Sequence, residues 1–592
     1  MSNSSPPFAI GIDLGTTHCA LAFSQSSPDS PEKYSTPEPL EISQVVAPAE
    51  VSKKELLPSF LYFAAKAEFP EGSLDLPWSP SAQDVVGTFA RSKGATTPAR
   101  LVTSAKSWLS HAGVDRQGDI LPWSAPDGVP KISPVQASAR YLSHLRKAWE
   151  SSHPQNPLNE QEVVLTVPAS FDAVARELTL EAAALAGLNP PPRLLEEPQA
   201  ALYDWVAQSE GKWREQVKVG DRILVVDIGG GTTDFSLISV NEDQGSLQLE
   251  RIAVGDHILL GGDNMDLALA YTVRARLESE GKSLDDWQTQ ALVHGCRAGK
   301  EALLAENPPA SYALVIPGRS SRLIGGSIRT ELTLEEVQRV LLGGFFPEVN
   351  SDSSPEAPRR LGLKTLGLPY ASDAGITRHL AFFVRRALQD KLPTAVLFNG
   401  GVTRSPIVQQ RLLSLLELWA QAAGEPTPQS LTGTDVELAV SRGAAYYAQA
   451  CKSGGLRIKS GTAQSHYIGI ERAELAVPGI PPRIDAICVA PFGMEEGSEV
   501  SLEQSFGLVL GEAVSFRFLA SPARRDDIVG TIVAPSELQE LAPLETVLEG
   551  PPGEVVEVRL HARVTEVGTL DLAAVEESSG RRWKLSFNIR VQ

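Results

Sequence analysis

The residues best equipped for chemistry lie in two similar runs, Ile10-Gly-Ile-Asp-Leu-Gly-Thr-Thr17 and Val225-Val-Asp-Ile-Gly-Gly-Gly-Thr-Thr-Asp234. In each, an apolar stretch with β-branched residues ends on an aspartate and turns through glycine into paired threonines. Glycine lets backbone N–H groups approach an anion closely, threonine hydroxyls add donors, and an aspartate supplies charge for a divalent cation or its waters. The two runs read as halves of a split clamp for nucleotide phosphates.

The flanking residues say what holds these turns. Phe8 to Asp13 and Ala20 to Ser24 alternate apolar and small residues around Gly15-Thr-Thr17, which predicts a β-hairpin, and Ile223 to Asp227 with Phe235 to Val240 predict a second. A phosphate would therefore meet hairpins rather than a strand-loop-helix phosphate loop. No complete G-x-x-x-x-G-K-[ST] occurs: Gly281-Lys-Ser283 resembles its tail, but Arg276 stands where the leading glycine belongs.

Between and beyond the hairpins the pattern alternates strands with helices. Ser26 to Lys54, rich in proline, serine and glutamate, reads as a surface excursion before a strand at Leu57 to Phe63. Arg100 to Leu109 has helical spacing and carries Lys106, which spacing alone assigns to a solvated face. Ser133 to Trp149 predicts an amphipathic helix and Val163 to Pro168 a buried strand; Arg176 to Ala186 predicts a helix capped at Gly187. Arg193 to Ala201 contains a short apolar run that closes on Glu196 and Glu197, and Leu249 to Val254 reads as a strand. Helices are expected over Asp263 to Glu278, Asp286 to Leu304 and Leu332 to Leu342. Thr394 to Asn399 predicts a buried strand that Gly400 to Ser405 turns into a helix near Pro406, and the small residues of Glu437 to Gln449 predict close packing. Strands that end in polar residues beside helices are how open α/β sheets build ligand clefts.

After Ala450 the texture changes. Lys452 to Gly461 reads as a linker, and the alternation at Val556 to Val564 and Leu570 to Ala574 reads as a β domain without a C-terminal helical segment. With 592 residues, two or more domains are expected. A net charge of −19 opposes nucleic-acid binding, and Cys19, Cys296, Cys451 and Cys488 are scattered as expected of a reducing compartment. Without a leader-like N-terminus or a membrane-length apolar run, a cytoplasmic location is expected. His18 and Cys19 read as strand residues, the Trp and Phe residues as core, and Glu495-Glu496 as solvated loop.

In order along the chain, these motifs resemble those of DnaK-type chaperones, the seventy-kilodalton heat-shock proteins. Ile12-Asp-Leu-Gly-Thr-Thr17 is similar to the first phosphate motif, Asp227 to Asp234 to the second, and Gly400-Gly-Val-Thr-Arg404 to the adenosine motif. Leu165-Thr-Val-Pro-Ala-Ser-Phe171, Glu197-Pro198 and Leu260-Gly-Gly-Asp263 also fall in family order, so the resemblance covers most of residues 8 to 450. One hairpin motif alone would indicate only the wider group of actins, sugar kinases and chaperones.

The resemblance implies an α/β actin-like, duplicated ribonuclease H-like, two-lobed ATPase domain over 1–450. It implies a linker over 451–466 and a lidless, substrate-binding-like β-sandwich over 467–592. It implies ATP and Mg2+, with Gly15, Thr16 and Thr17 on one side of the phosphates, Gly229, Gly230 and Gly231 on the other, and Asp13 and Asp227 on the hydrated metal. Lys106, now drawn into the site, would neutralise phosphate charge, Glu197 would orient the attacking water, and Thr232 and Asp234 would complete the site. Gly400, Gly401 and Arg404 would meet the adenine side and Gly262 and Lys300 the ribose, while Pro168 and Arg176 would couple the ATP site to the second domain.

Unfolded or partner polypeptides, a J-domain co-chaperone and a nucleotide-exchange factor are the implied partners, with neither nucleic acid nor membrane among them. Tyr467-Ile-Gly-Ile-Glu471 and Gly568-Thr-Leu-Asp-Leu-Ala573 are similar to substrate-domain strands of the family. Three stretches depart from the family: Leu456-Arg-Ile-Lys459 lacks the consecutive leucines and aspartate of its linker, the helical lid is missing, and Arg297 to Leu304 lacks the acidic and serine partners for ribose. Altered interdomain signalling, rapid peptide exit and lower nucleotide affinity are the corresponding expectations. A small-molecule kinase of the actin superfamily and a non-catalytic actin-like scaffold or filament protein remain the alternatives.

Overall fold

Ala9, Ile10 and Ile12 are all fully buried, so both faces of the strand Phe8–Leu14 are covered, as its apolar run requires. The computed structural model describes residues 7–588 apart from 28–29, 81, 112, 124, 210, 244–245, 319–326, 357–366, 390, 454–457, 459–461, 463, 473–474, 476–481, 495–497, 522–523, 525, 542–543 and 566–568. Phe8–Leu14 pairs antiparallel with His18–Ser27 and parallel with Glu162–Val167, which is followed in the same sheet by Arg193–Glu196, again parallel. The second hairpin repeats the plan. Arg222–Ile228 pairs antiparallel with Thr233–Asp243 and parallel with Ala395–Asn399, beyond which lies Gln429–Leu431. Each sheet thus carries a hairpin whose first strand is followed, on the side away from its hairpin partner, by two successive parallel strands, and the parallel connections run through helices such as Pro134–Ser152 and Pro406–Ala423.

Equivalent helices follow the last parallel strand of each sheet, Glu197–Gln208 in the first and Ala439–Ser453 in the second. They pack backbone to backbone, since a Cβ built on Gly443 would fall 1.7 Å from the carbonyl oxygen of Ala200, and the second helix also lies against the strand Phe8–Leu14, where a Cβ on Gly11 would strike the Ser441 carbonyl. This is the close packing expected of the small residues of Glu437 to Gln449. A bidentate ion pair crosses the same contact, with Arg442 Nε and Nη2 each 3.1 Å from the buried Asp204 carboxylate.

Contacts divide the chain into two units, Met1–Phe171 with Leu178–Gln248 and Ala253–Arg457, and Asp172–Glu177 with Leu249–Ile252 and Ile458–Gln592. In the second, Ile532–Val533, Ile484–Ala490, Ser465–Glu471, Phe518–Ser521 and Gln539–Glu540 form one antiparallel sheet. Glu499–Val509, Val555–Val564, Thr569–Val575 and Arg582–Asn588 form another, and Ile468, Val489 and Phe518 of the first share a core with Leu502, Val558, Leu572 and Leu585 of the second. Among the described residues beyond Ser453 there is no α-helix.

Several local expectations change. Ser26 to Lys54 is no simple excursion: Ile42–Ala47 and Glu50–Lys54 pair as a hairpin that buries Ile42 and Val45 completely. Leu57 to Phe63 divides into Leu56–Pro58 and Leu61–Phe63. Arg100 to Leu109 is not one helix, because Leu101–Val102 pairs with Tyr62 and Leu61, and Ser104 takes the left-handed conformation (φ 55°) before the helix Ala105–Ser110 begins. The helix expected from Leu332 starts at Leu334 behind a Thr333/Glu336 capping box and widens into a π turn at Leu341–Phe345. The helix Ile376–Leu388 was not among the expected elements. The linker residues Leu456-Arg, Lys459, Ser460 and Gly461, together with Glu495-Glu496 and Gly568, lie outside the described residues.

Candidate functional site

The two glycine-threonine turns face each other at the carboxyl ends of their sheets' central strands. A Cβ on Gly230 would run into the Thr17 methyl, and one on Gly231 would come within 2.8 Å of the Thr16 methyl, so glycine is what lets the turns approach. Ser59 Oγ donates to the Gly15 carbonyl at 2.7 Å, and Gly262 and Asp263 N–H groups donate to the carbonyls of Gly229 (3.0 Å) and Gly230 (2.7 Å). These bonds fix the outward carbonyls of both turns.

A cavity of about 1020 Å³ opens along the turns. Of the residues singled out in the sequence, Asp13, Gly15, Thr16, Thr17, Lys106, Glu197, Asp227, Gly229, Gly230, Thr232, Gly262, Lys300, Gly400, Gly401 and Arg404 line it. Gly231, Asp234, Pro168 and Arg176 are not part of the lining. Arg176 is buried, at 1% exposure.

The inner end concentrates charge. Lys106 is buried, contrary to the solvated face its helical spacing implied, and its ammonium is hydrogen-bonded to Glu197. Burial pushes the Glu197 carboxyl up to about 8 against the pull of Lys106, with Asp13 and Asp227 adding to the rise. Asp227 is raised to about 7, again chiefly by burial. Asp13 is raised by burial while Lys106 and Thr166 oppose the rise. Three carboxyls that share one lysine in a buried pocket form a site that a further cation would relieve.

Each aspartate is steadied by a donor near the end of the adjacent parallel strand: Thr166 Oγ1 donates to Asp13 at 3.2 Å, and Asn399 Nδ2 to Asp227 at 2.6 Å. Asp234 lies opposite Asp227 in the hairpin register, and Ser170 Oγ donates to it at 2.7 Å while His257 Nδ1 lies 3.1 Å away. Burial pushes the Asp234 carboxyl up, but His257 and the hydrogen bonds of His257 and Ser170 outweigh it and hold the group below its usual range.

Toward the other end, Lys300 Nζ pairs with Asp266 at 2.6 Å and donates to the Gly262 carbonyl at 2.9 Å. Arg404 is largely exposed along its side chain and pairs with Glu437 at 2.9 Å, leaving a guanidinium face beside Gly401 and Val402. Such a face suits stacking on a flat ring.

Residues 79–308 match the family described as Hsp70 protein. The chain is 30% identical over 427 residues to a chaperone protein HscA homolog of Paracidovorax citrulli, covering 68% of this chain and 53% of that protein. It is 29% identical over 454 residues to the homolog of Burkholderia lata, covering 74% and 58%. The chain belongs to the Hsp70 family. It spans about half the length of the curated relatives it matches, 42% in the case of the Acinetobacter baylyi homolog.

In this Hsp70-family chain, several residues at the site escaped sequence reasoning. Thr166 and Asn399 could have been found from the internal duplication, since each occupies the end of the parallel strand beside an aspartate. His18, read only as a strand residue, also lines the cavity, as do Arg91 and Arg297. Acidic groups near Lys300 and Arg297 are supplied by Asp263 and Asp266 on the helix Gly262–Ser279, and Glu301, within the stretch expected to lack such partners, also lines the cavity. No helix among the described residues is long and apolar enough to cross a membrane.

Proposed function

We propose that this chain is an ATP-hydrolysing chaperone of the Hsp70 type. In this reading, residues 1–450 form an actin-like two-lobed ATPase, 451–466 a linker and 467–592 a β-sandwich that binds unfolded polypeptide. The observation that carries the reading is the apposition of two glycine-threonine turns over one cavity, each with a buried aspartate at its strand end and Lys106 against Glu197 at the inner end.

The residues fit Mg2+ and ATP. Mg2+ is characteristically bound through one or two carboxylates plus phosphates and keeps several waters, and two raised carboxyls, Asp13 and Asp227, face the cavity. When bound, the metal would neutralise phosphate charge. The backbone and hydroxyl groups of Gly15 to Thr17 and Gly229 to Thr232 would position the phosphates, which phosphoryl transfer needs more than covalent help. Lys106 would hold positive charge against the transferring group, and Glu197 would orient the attacking water and draw its proton. Asp234, which is not in the lining, would act by fixing the second turn and by its charge on Asp227. Gly401 and Arg404 would meet adenine, and Gly262 and Lys300 the ribose. Pro168 and Arg176 would carry the state of the site toward the polypeptide-binding domain.

The test is single-turnover ATP hydrolysis measured alone, with an unfolded polypeptide, and with a J-domain protein. Acceleration by the two proteins together is expected. Hydrolysis that responds to neither would overturn the chaperone part of the reading, and absence of Mg2+-dependent ATP binding would overturn all of it.

A further inference from the structure

Arg91, on the helix Thr88–Gly94, and Arg297, on the helix Asp286–Leu303, line the same cavity, although the helices lie about two hundred residues apart in the chain. Arg91 Nη1 lies 3.3 Å from His18 Nε2, and His18 follows Thr17, whose methyl faces Gly230. On the other side the Gly230 carbonyl accepts from Asp263 N–H, and the Asp263 carboxylate is paired with Arg297. These two short chains of contacts lead both guanidiniums toward one region of the cavity.

The two charges act on each other. Burial, then Arg91 and Arg297 together, push His18 down to about 4, so it is neutral and can only accept the Arg91 hydrogen bond. After burial, the charge of Arg297 is the largest influence pushing Arg91 down. Glu301 pulls the other way most strongly, followed by Asp263 and Asp266, which are already engaged by Arg297, Asp266 by Lys300 as well. Among the described residues Arg91 has no ion pair, so a half-buried cation faces a second cation across a ligand cavity in a chain whose net charge is −19. An anion between them removes that repulsion, and guanidinium forks match phosphate oxygens bidentately.

We propose that Arg91 and Arg297, with His18 behind Arg91, form a second phosphate subsite in this cavity, apart from the glycine-threonine turns. Its occupant is a phosphate group, either free inorganic phosphate or one carried on the ribose of a nucleotide. The ribose source rests on the ATP reading, in which Lys300, on the same helix face three residues from Arg297, approaches the sugar.

The experiment uses the full chain in two arms. In the first, inorganic phosphate is titrated calorimetrically into protein saturated with a non-hydrolysable ATP analogue, which fills the turns. In the second, affinities for ADP and for its 3′-phosphorylated form are compared. Binding in the first arm identifies free phosphate; a preference of about ten-fold or more for the 3′-phosphorylated nucleotide in the second identifies the ribose source.

In either case Arg91→Met, which keeps the apolar stem, should remove about ten-fold or more of the affinity, and Arg91→Lys should restore most of it. Thermal unfolding checks that both variants are folded. No signal in either arm, or full signal in Arg91→Met, overturns the proposal. If the analogue itself fails to bind, the ATP reading fails, and phosphate titration into ligand-free wild type and Arg91→Met still decides the subsite.

Discussion

Replacing Lys106 with alanine tests the chemistry at the inner end of the cavity. Lys106 is 8% exposed, hydrogen-bonded to Glu197 and electrostatically coupled to Asp13 and Asp227. At about 4 Å and an effective dielectric of about 20, one unit-charge pair interacts by about 4 kcal/mol. Loss of one preorganised charge-stabilising group correspondingly costs on the order of 10²–10³ in the chemical step. Rapid mixing of excess protein with labelled ATP, beside a separate binding titration, should find ATP still bound but hydrolysed 10²–10³-fold more slowly.

The variant has a second signature, in stability. Glu197 and Asp227 have carboxyls raised in the folded chain, to about 8 and about 7, so each favours folding while protonated and loses that contribution as pH rises through the folded value. Without Lys106 the carboxylates repel one another unrelieved, so nucleotide-free Lys106→Ala should lose more stability relative to wild type at pH 8.5 than at pH 6. Unchanged single-turnover rates in a variant that binds ATP would remove Lys106 from the reaction and refute the reasoning.

Two further predictions concern the scaffold. Arg442→Met should destabilise the chain by about 3–5 kcal/mol because it leaves Asp204 buried and unpaired, whereas Asp204→Leu with Arg442→Met should recover most of the loss in urea unfolding. His466, fully buried against Phe518 at 5.5 Å between ring centroids, is held down to about 3 by burial. The unfolded chain therefore takes up this proton more readily below its usual value near 6.5. Stability of this unit should fall by up to about 1.4 kcal/mol per pH unit between about pH 6.5 and 3, and His466→Phe should flatten that slope in thermal melts.

The parts of the fold that were legible in the sequence are those whose signal is local. The two hairpins carry alternation, a terminal aspartate and glycine within a few residues, and Ser133 to Trp149 carries both its amphipathic period and its Ser133/Gln136 capping box. The hairpin of Ile42–Ala47 and Glu50–Lys54 was not legible, because only Ile42 and Val45 supply apolar burial within a polar stretch. Lys106 illustrates the limit most clearly. Its helix is only six residues long, and its partner inside the site, Glu197, is ninety-one positions away in sequence. Arg91 and Arg297 were invisible for the same reason, since nothing local distinguishes them from surface arginines. Thr166, Ser170, His257 and Asn399 support the aspartates through strand ends and loops that only tertiary pairing brings together.

The central claim is that Asp13 and Asp227, one from each duplicated sheet, serve a single Mg2+-ATP site. A double-mutant cycle on Asp13→Asn and Asp227→Asn, reading the Mg2+-dependent part of ATP affinity by calorimetry, tests it directly. One shared metal predicts one ATP per chain and strongly non-additive losses, with a coupling of about 0.5–3 kcal/mol. Losses that simply add, or an ATP affinity indifferent to Mg2+, would contradict it.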